Sequence, residues 1–272
     1  MTLKGKRVVI TRPKQQTDML SEMITQLGGI PHNIPTVEID SVPINDKVMK
    51  PIQRIAAGQA DIIIFMSQNA FLSFISISEK IGLKKEIKNA ISKMQVFSIG
   101  SKTRSLIISK GINVEGTPKD YSSQGLADAL LKHDQHDKII VIPRTTNPTD
   151  YLIKQIKGDY SEIIQFPVYE TKLPKDTTDV LQLIYDITKS RVDIITFTSS
   201  VAVQNLFKIA KKNRITEKLK KSLNDGVVVV SIGSVTKKTL ENFGIDVQVT
   251  PNKYTLEAMV KSLNRFIEND NE

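Results

Sequence analysis

The chain has 272 residues, 40% of them hydrophobic, and 38 Lys and Arg against 29 Asp and Glu give it a formal net charge of +9. There is no Cys, which excludes disulfides, a thiolate nucleophile and thiolate metal sites. No apolar run approaches the roughly 20 residues of a membrane span, and the opening MTLKGKRVVITRP lacks the apolar core of a secretion signal, so a soluble cytoplasmic protein is expected.

In chain order, RVVIT from Arg7 is short and β-branched and predicts a buried strand. Met19, Leu20, Met23, Ile24 and Leu27 form a helical stripe that stops at Gly28-Gly29. NIPTVEID (33–40) has the composition of a strand marked by a proline. DIIIFM from Asp61 predicts a strand, followed by a helix over 69–81. QVFSI from Gln95 predicts another, followed by a helix over 103–110 that ends at Gly111. INV (112–114) predicts a short strand and 122–131 a helix. This alternation predicts a parallel sheet with helices on both faces, a small doubly wound α/β domain.

The same series then recurs. VVSIGSVTKKTLENFGIDV (229–247) and VFSIGSKTRSLIISKGINV (96–114) share nine of nineteen positions. Asp61 and Asp193 lie 132 apart, as do Pro35 and Pro167, while Gly100 and Gly233 lie 133 apart. One insertion keeps the register from about residue 7 to 130, far longer than the roughly 20–50 residues of a solenoid repeat, so the repeating unit is a domain. Two tandem domains split near residue 134 are the simplest arrangement. NIPTVEID and QFPVYET (165–171) occupy equivalent positions and leave two possibilities open. Each is an inner strand of its own domain, or both run between domains as a paired linker.

In open parallel sheets, ligands bind beyond the carboxyl ends of the strands, where turns lead into helices. These turns carry Thr11 and Arg12; Ser67 and Asn69; Ser98, Gly100, Ser101 and Thr103; Arg144; Thr198, Ser199 and Ser200; and Gly233, Ser234 and Thr236. Ser, Thr and Asn are the usual helix N-caps, so any one turn is accounted for by capping. Six such turns on the same side of two sheets instead present N–H and hydroxyl donors at positive helix ends, which suits carboxylates or phosphates. The positive charge agrees with an anionic small molecule. Nucleic acid is not expected, because Lys is scattered, there is no Trp, and aromatics are only 6%.

Other motifs fail. GSKT (100–103) is not a phosphate-binding Walker loop, and no G-x-G-x-x-G follows a strand. HDQHD (133–137) joins a helix to a strand at the opposite edge and reads as a solvated turn, not a metal site. His32 is the only other histidine, so a Ser-His-Asp triad has no support. No metal or cofactor is expected, and any catalysis falls to Tyr or Ser hydroxyls and backbone amides.

VVITRP, DIIIFMSQNAF, SIGSKT…GINV, FPVYET, DIITFTSS and SIGSVT…FGIDV, in this order, resemble the uroporphyrinogen-III synthase family over nearly the whole chain. The resemblance implies two similar doubly wound parallel-sheet lobes joined by a two-stranded antiparallel linker. Residues 1–34 with 172–272 would form the first lobe, 41–164 the second, and 35–40 and 165–171 the linker strands. The implied reaction takes hydroxymethylbilane, an anionic tetrapyrrole precursor bearing eight acetate and propionate groups. It loses water and closes to uroporphyrinogen III with its last ring inverted. A monomer without membrane association is expected. The resemblance points to Tyr169 of VYET as an assisting proton donor, a phenol of ordinary pKa near 10; packing between lobes is its plain alternative. Two positions depart from the family: Met66, where Thr is common as at Thr198, and Thr145, where Gly is frequent after Arg144. The competing reading is a non-catalytic two-lobed binding or sensor protein for an anionic ligand.

Overall fold

The computed structural model describes residues 2–119, 122–131, 136–148 and 150–270. Among them the strands are β1 (Arg7–Ile10), β2 (Ile30–Asn33), β3 (Glu38–Ser41), β4 (Ile62–Phe65), β5 (Gln95–Ser98), β6 (Ile139–Thr145), β7 (Glu162–Lys172), β8 (Ile194–Phe197) and β9 (Val228–Ser231). The helices are α1 (Asp18–Gln26), α2 (Asp46–Ala56), α3 (Gln68–Lys80), α4 (Lys84–Ile91), α5 (Ser101–Ser109), α6 (Ser123–Leu130), α7 (Tyr151–Ile156), α8 (Thr178–Thr188), α9 (Ser200–Lys212), α10 (Thr216–Gly226), α11 (Ser234–Asn242) and α12 (Leu256–Asp270). None is long and apolar enough to cross a membrane.

Two compact units result, Met1–Ile39 with Thr171–Glu272, and Asp40–Glu170. The first holds a sheet of order β2-β1-β8-β9, the second a sheet of order β3-β7-β6-β4-β5. β4 and β8 are buried along their whole length, as central strands of parallel sheets covered on both faces must be. In the first unit the alternation sends Val8, Ile10 and Ile194 to one core with Leu20 and Leu263. Val9, Ile195 and Phe197 face the other core with Leu183 and Leu206.

The sequence copies and the compact units do not coincide. β1 and β2 of the first copy pair with β8 and β9 of the second, while β4 and β5 pair with β6 and β7. Register is preserved throughout this exchange. Val8 faces Ile194 and Ile62 faces Ile140, and Val8 and Ile140, like Ile62 and Ile194, are 132 residues apart. Even the strand entry is repeated: Asp193 accepts from Arg7 N–H at 2.7 Å and Asp61 from Ile139 N–H at 2.9 Å. The tandem split near residue 134 is therefore replaced by an exchange of halves.

The two proline-marked segments meet in one sheet: β3 neighbours β7, and β7 runs unbroken through QFPVYET and pairs in parallel with β6 from Ile139↔Glu162 to Thr145↔Tyr169. Phe166, Val168 and Tyr169 are buried there, so leaving the sheet would expose a large apolar surface. Of NIPTVEID, Ile34 and Thr36 donate to the end of β1, and only the stretch from Glu38 lies beside β7. INV forms no strand. Ile112 N–H closes the end of α5 on Ile107 O, and the chain reaches β5 only at the single bridge Phe97↔Gly116, which Val230↔Val249 repeats.

One stability prediction arises in the second core. Tyr160 is buried, donates to Leu130 O at 2.9 Å, and has its pKa pushed up to about 12 by burial and by Asp159. An unfolded tyrosine ionises near pH 10. The folded state favours the neutral phenol, so this contribution is present below about pH 10 and is lost as pH rises through about 12. Tyr160→Phe should cost about 1 kcal/mol at neutral pH through the lost hydrogen bond. It should also flatten the alkaline fall of the urea midpoint. Equally steep curves in both proteins above pH 10 would contradict this.

Candidate functional site

In the second unit, β6 and β7 bring three polar side chains together through an irregularity. Arg144 pairs with Pro167 but Thr145 with Tyr169, so β7 carries one extra residue, Val168. Such a bulge changes the phase of the side chains that follow it. It leaves the neighbours Val168 and Tyr169 both buried. The Tyr169 Oη lies 3.2 Å from Ser67 Oγ. Ser67 is the N-cap of α3 and accepts from Ala70 N–H at 3.1 Å, so its own proton is free to point at the phenol oxygen. Arg144, only 6% exposed, hydrogen-bonds Gln165 Oε1 on β7. Burial raises the Tyr169 pKa, opposed by the Ser67 hydrogen bond and the Arg144 charge. Burial lowers that of Arg144, opposed by Asp150 and Tyr169. Beside the bulge, Thr145 Oγ1 is buried with no hydrogen-bond partner among the described residues.

The helix-entry turns divide into two kinds, and the division is the same in both units. Ser67 and Ser199 are true caps, Ser199 Oγ accepting from Ala202 N–H at 3.2 Å. Helices α5 and α11 instead begin at Gly100 and Gly233 and carry no side-chain cap. Their first residues, Ser101 and Ser234, are exposed. Gln68 Nε2 donates to Lys102 O at 3.3 Å, drawing the starts of α3 and α5 together. Thr239 Oγ1 donates to Ser200 Oγ at 2.9 Å, and Ser200 Oγ to Val235 O at 3.4 Å, doing the same for α9 and α11. Each unit thus presents two adjacent positive helix ends, one of them uncapped, a natural seat for carboxylates.

Several candidates face inward. Thr11 is fully buried and donates to Thr196 O at 2.8 Å. Ser98 and Ser231 are buried and bond Thr117 and Thr250 at 2.8 and 2.7 Å, pinning the strand ends. Thr103 and Thr236 are each 5% exposed on the inner faces of their helices. Asn69, Thr198 and Ser200 are half-buried at the turns, and Arg12 is half-buried at the end of β1. Ser199→Ala is expected to cost about 1 kcal/mol of stability as a lost cap, seen as a lowered urea midpoint. Thr198→Ala, which removes no cap, should leave the midpoint in place.

Sequence reading missed Gln16 and Gln165, which hold the two arginines, and Tyr254. The Tyr254 ring lies so close to Gly233 that a Cβ there would meet it at 2.8 Å, and its Oη is 3.1 Å from Ser234 Oγ. The repeated TPNKY, which ends on Tyr254, was the available signal. Of HDQHD, residues 133–135 lie outside the described residues, and His136 and Asp137 form a turn before β6. Among the described residues no group of three His, Asp or Glu could hold a metal. A cavity of about 550 Å³ beside Ala57, Asp61, Lys93 and Lys138 lies at the amino ends of β4 and β5, away from these turns.

The family model for uroporphyrinogen-III synthase HemD matches residues 18–261. The chain belongs to this family. Membership carries the family's chemistry, a cyclising lyase step in porphyrin biosynthesis. A protein of Methanothermobacter thermautotrophicus is 30% identical over 260 residues, spanning 94% of this chain and 96% of its own length. The uroporphyrinogen-III synthase of Chlorobaculum parvum is 23% identical over 258 residues, 95% of this chain and 98% of that protein. Among solved structures, a mutant uroporphyrinogen III synthase of Thermus thermophilus aligns with a TM-score of 0.66 at 18% identity, covering 97% of this chain and all of that one. The Helicobacter pylori enzyme aligns at 0.56 with 15% identity, covering 94% and 97%. These likenesses support the two-lobed α/β fold.

Proposed function

We propose that the chain is a carbon–oxygen lyase that dehydrates and cyclises hydroxymethylbilane to uroporphyrinogen III, inverting ring D. It acts in the cytoplasm as a monomer without a cofactor. The observation that carries this reading is the Tyr169 phenol, buried beside Arg144 and 3.2 Å from Ser67 Oγ. Tyr169 gives its proton to the departing hydroxyl, the carbon–oxygen bond breaks, and water leaves. The pyrrole nitrogen supplies the electron pair that forms the azafulvene. The Ser67 hydroxyl and Arg144 hold the phenolate, which takes a proton back when the last ring becomes aromatic again, so the cycle balances.

Closure without an enzyme gives the non-inverted isomer, so the protein must favour the spiro path by holding the chain. The uncapped starts of α5 and α11 supply donors for the acetates and propionates in each unit. The test is an assay with freshly made hydroxymethylbilane that separates the type I and type III isomers. Type III formed well above the blank is the expected result. Type I alone, at the blank rate, would sink the reading and leave a binding protein.

A further inference from the structure

The duplication places one arginine per copy at the same position: Arg12 and Arg144 lie 132 apart, at the carboxyl ends of β1 and β6. Their surroundings have diverged. Arg144 interacts with Tyr169 and Asp150, whereas the position equivalent to Tyr169 in the first copy is the buried Val37. Arg12 is held by one residue, Gln16. Its Nε donates to the Gln16 backbone oxygen and its Nη2 to Gln16 Oε1, both at 2.9 Å.

That clamp fixes one edge of the guanidinium and leaves the end-on pair, Nη1 with the second hydrogen of Nη2, without a protein acceptor among the described residues. None of the described carboxylates lies within ion-pair distance of Arg12, and its pKa is lowered by burial with no negative charge acting against it. A partly desolvated cation without a counter-ion destabilises the fold that carries it. A planar fork fixed in this way matches a carboxylate in two parallel hydrogen bonds.

We propose that Arg12 is a carboxylate-binding residue, its end-on fork taking one acetate or propionate of the tetrapyrrole and gaining the counter-ion that its own unit lacks. This rests on the function proposed above. A purely structural Arg12, bracing the turn through Gln16, predicts the opposite pattern on removal, namely lost stability with unchanged binding.

The experiment measures equilibrium binding of uroporphyrin III, the stable oxidised product, by fluorescence, with thermal unfolding in parallel. Arg12→Gln should weaken binding by about 10- to 100-fold, the range of charge-assisted hydrogen bonds. Its unfolding temperature should be unchanged or raised, and kcat should change by no more than about twofold while KM rises. Arg12→Lys, which keeps the charge but not the fork, should recover only part of the affinity. Should Arg12→Gln fail to fold, Arg12→Met is measured in the same way. Affinity within about twofold of the parent in a folded variant would overturn the assignment. Type III formation by the unmodified protein is scored separately. If that is absent while Arg12→Gln still weakens binding, the lyase reading falls and this one stands; if it is present and binding is unchanged, only this one falls.

Discussion

Tyr169→Phe is expected to lower turnover by roughly 10- to 100-fold, at or below the low end of general-acid effects because the azafulvene forms readily. Uroporphyrin III should bind nearly as before, and the product should remain type III, since inversion depends on how the chain is held and not on who donates the proton. Burial raises the phenol's pKa above its usual value, so the acid form prevails at neutral pH. The sign of the pH dependence follows: activity falls as pH rises through that raised value, above about 10. Arg144→Gln removes a positive charge that favours the phenolate. It should therefore move the alkaline limb of the kcat/KM profile further up and lower kcat. Full activity in a folded Phe variant would assign Tyr169 to packing and leave a backbone amide or water as the donor.

Ser101→Pro and Ser234→Pro should each weaken uroporphyrin III binding by about 10-fold or more, the effect of one charge-assisted hydrogen bond. Both serines are the first residues of uncapped helices. Proline is well tolerated at that position, and beyond the hydroxyl that alanine also lacks it removes the backbone N–H. The preceding glycines are extended, Gly100 at φ −154 and ψ 164 and Gly233 at φ −178 and ψ 176, as a residue before proline prefers. Stability should therefore change little. Ser101→Ala and Ser234→Ala remove only hydroxyls and serve as controls. If the alanine and proline variants bind alike, the backbone donors take no carboxylate.

The alternating strands and helices were legible because parallel-sheet strands such as IIIF and IITF are apolar on both faces, a pattern that needs no partner to be recognised. The duplication was legible too, from spacing alone. The exchange of halves could not be read from spacing or pattern, because every register is the same in both copies and the apolar pattern fits either partner; it entered only through the family resemblance. The meeting of Ser67 and Tyr169, 102 residues apart, was not legible either, since it depends on one unpaired residue in β7. The turns themselves were found, but capping serines, buried tethers such as Ser98 and uncapped entries such as Gly100 look alike in sequence.

The exchange of halves also sets a timetable for the growing chain. The second unit comes from one continuous stretch, Asp40–Glu170, and can close as soon as it has left the ribosome. β1 must wait for β8, since Val8 faces Ile194, 186 residues later. At about 5–20 residues per second that is a delay of roughly 10–40 s. Meanwhile β4 emerges with almost the same side chains in the same register, an impostor for β8. The difference lies in one residue: Thr196 stands where β4 has Ile64. Buried at the centre of its sheet, Thr196 donates to Val9 O at 2.9 Å and receives Thr11 at 2.8 Å on its carbonyl. A β1–β4 pairing would lack the hydroxyl bond to Val9, so Thr196 gives β1 one interaction with its own partner strand that the repeat cannot offer.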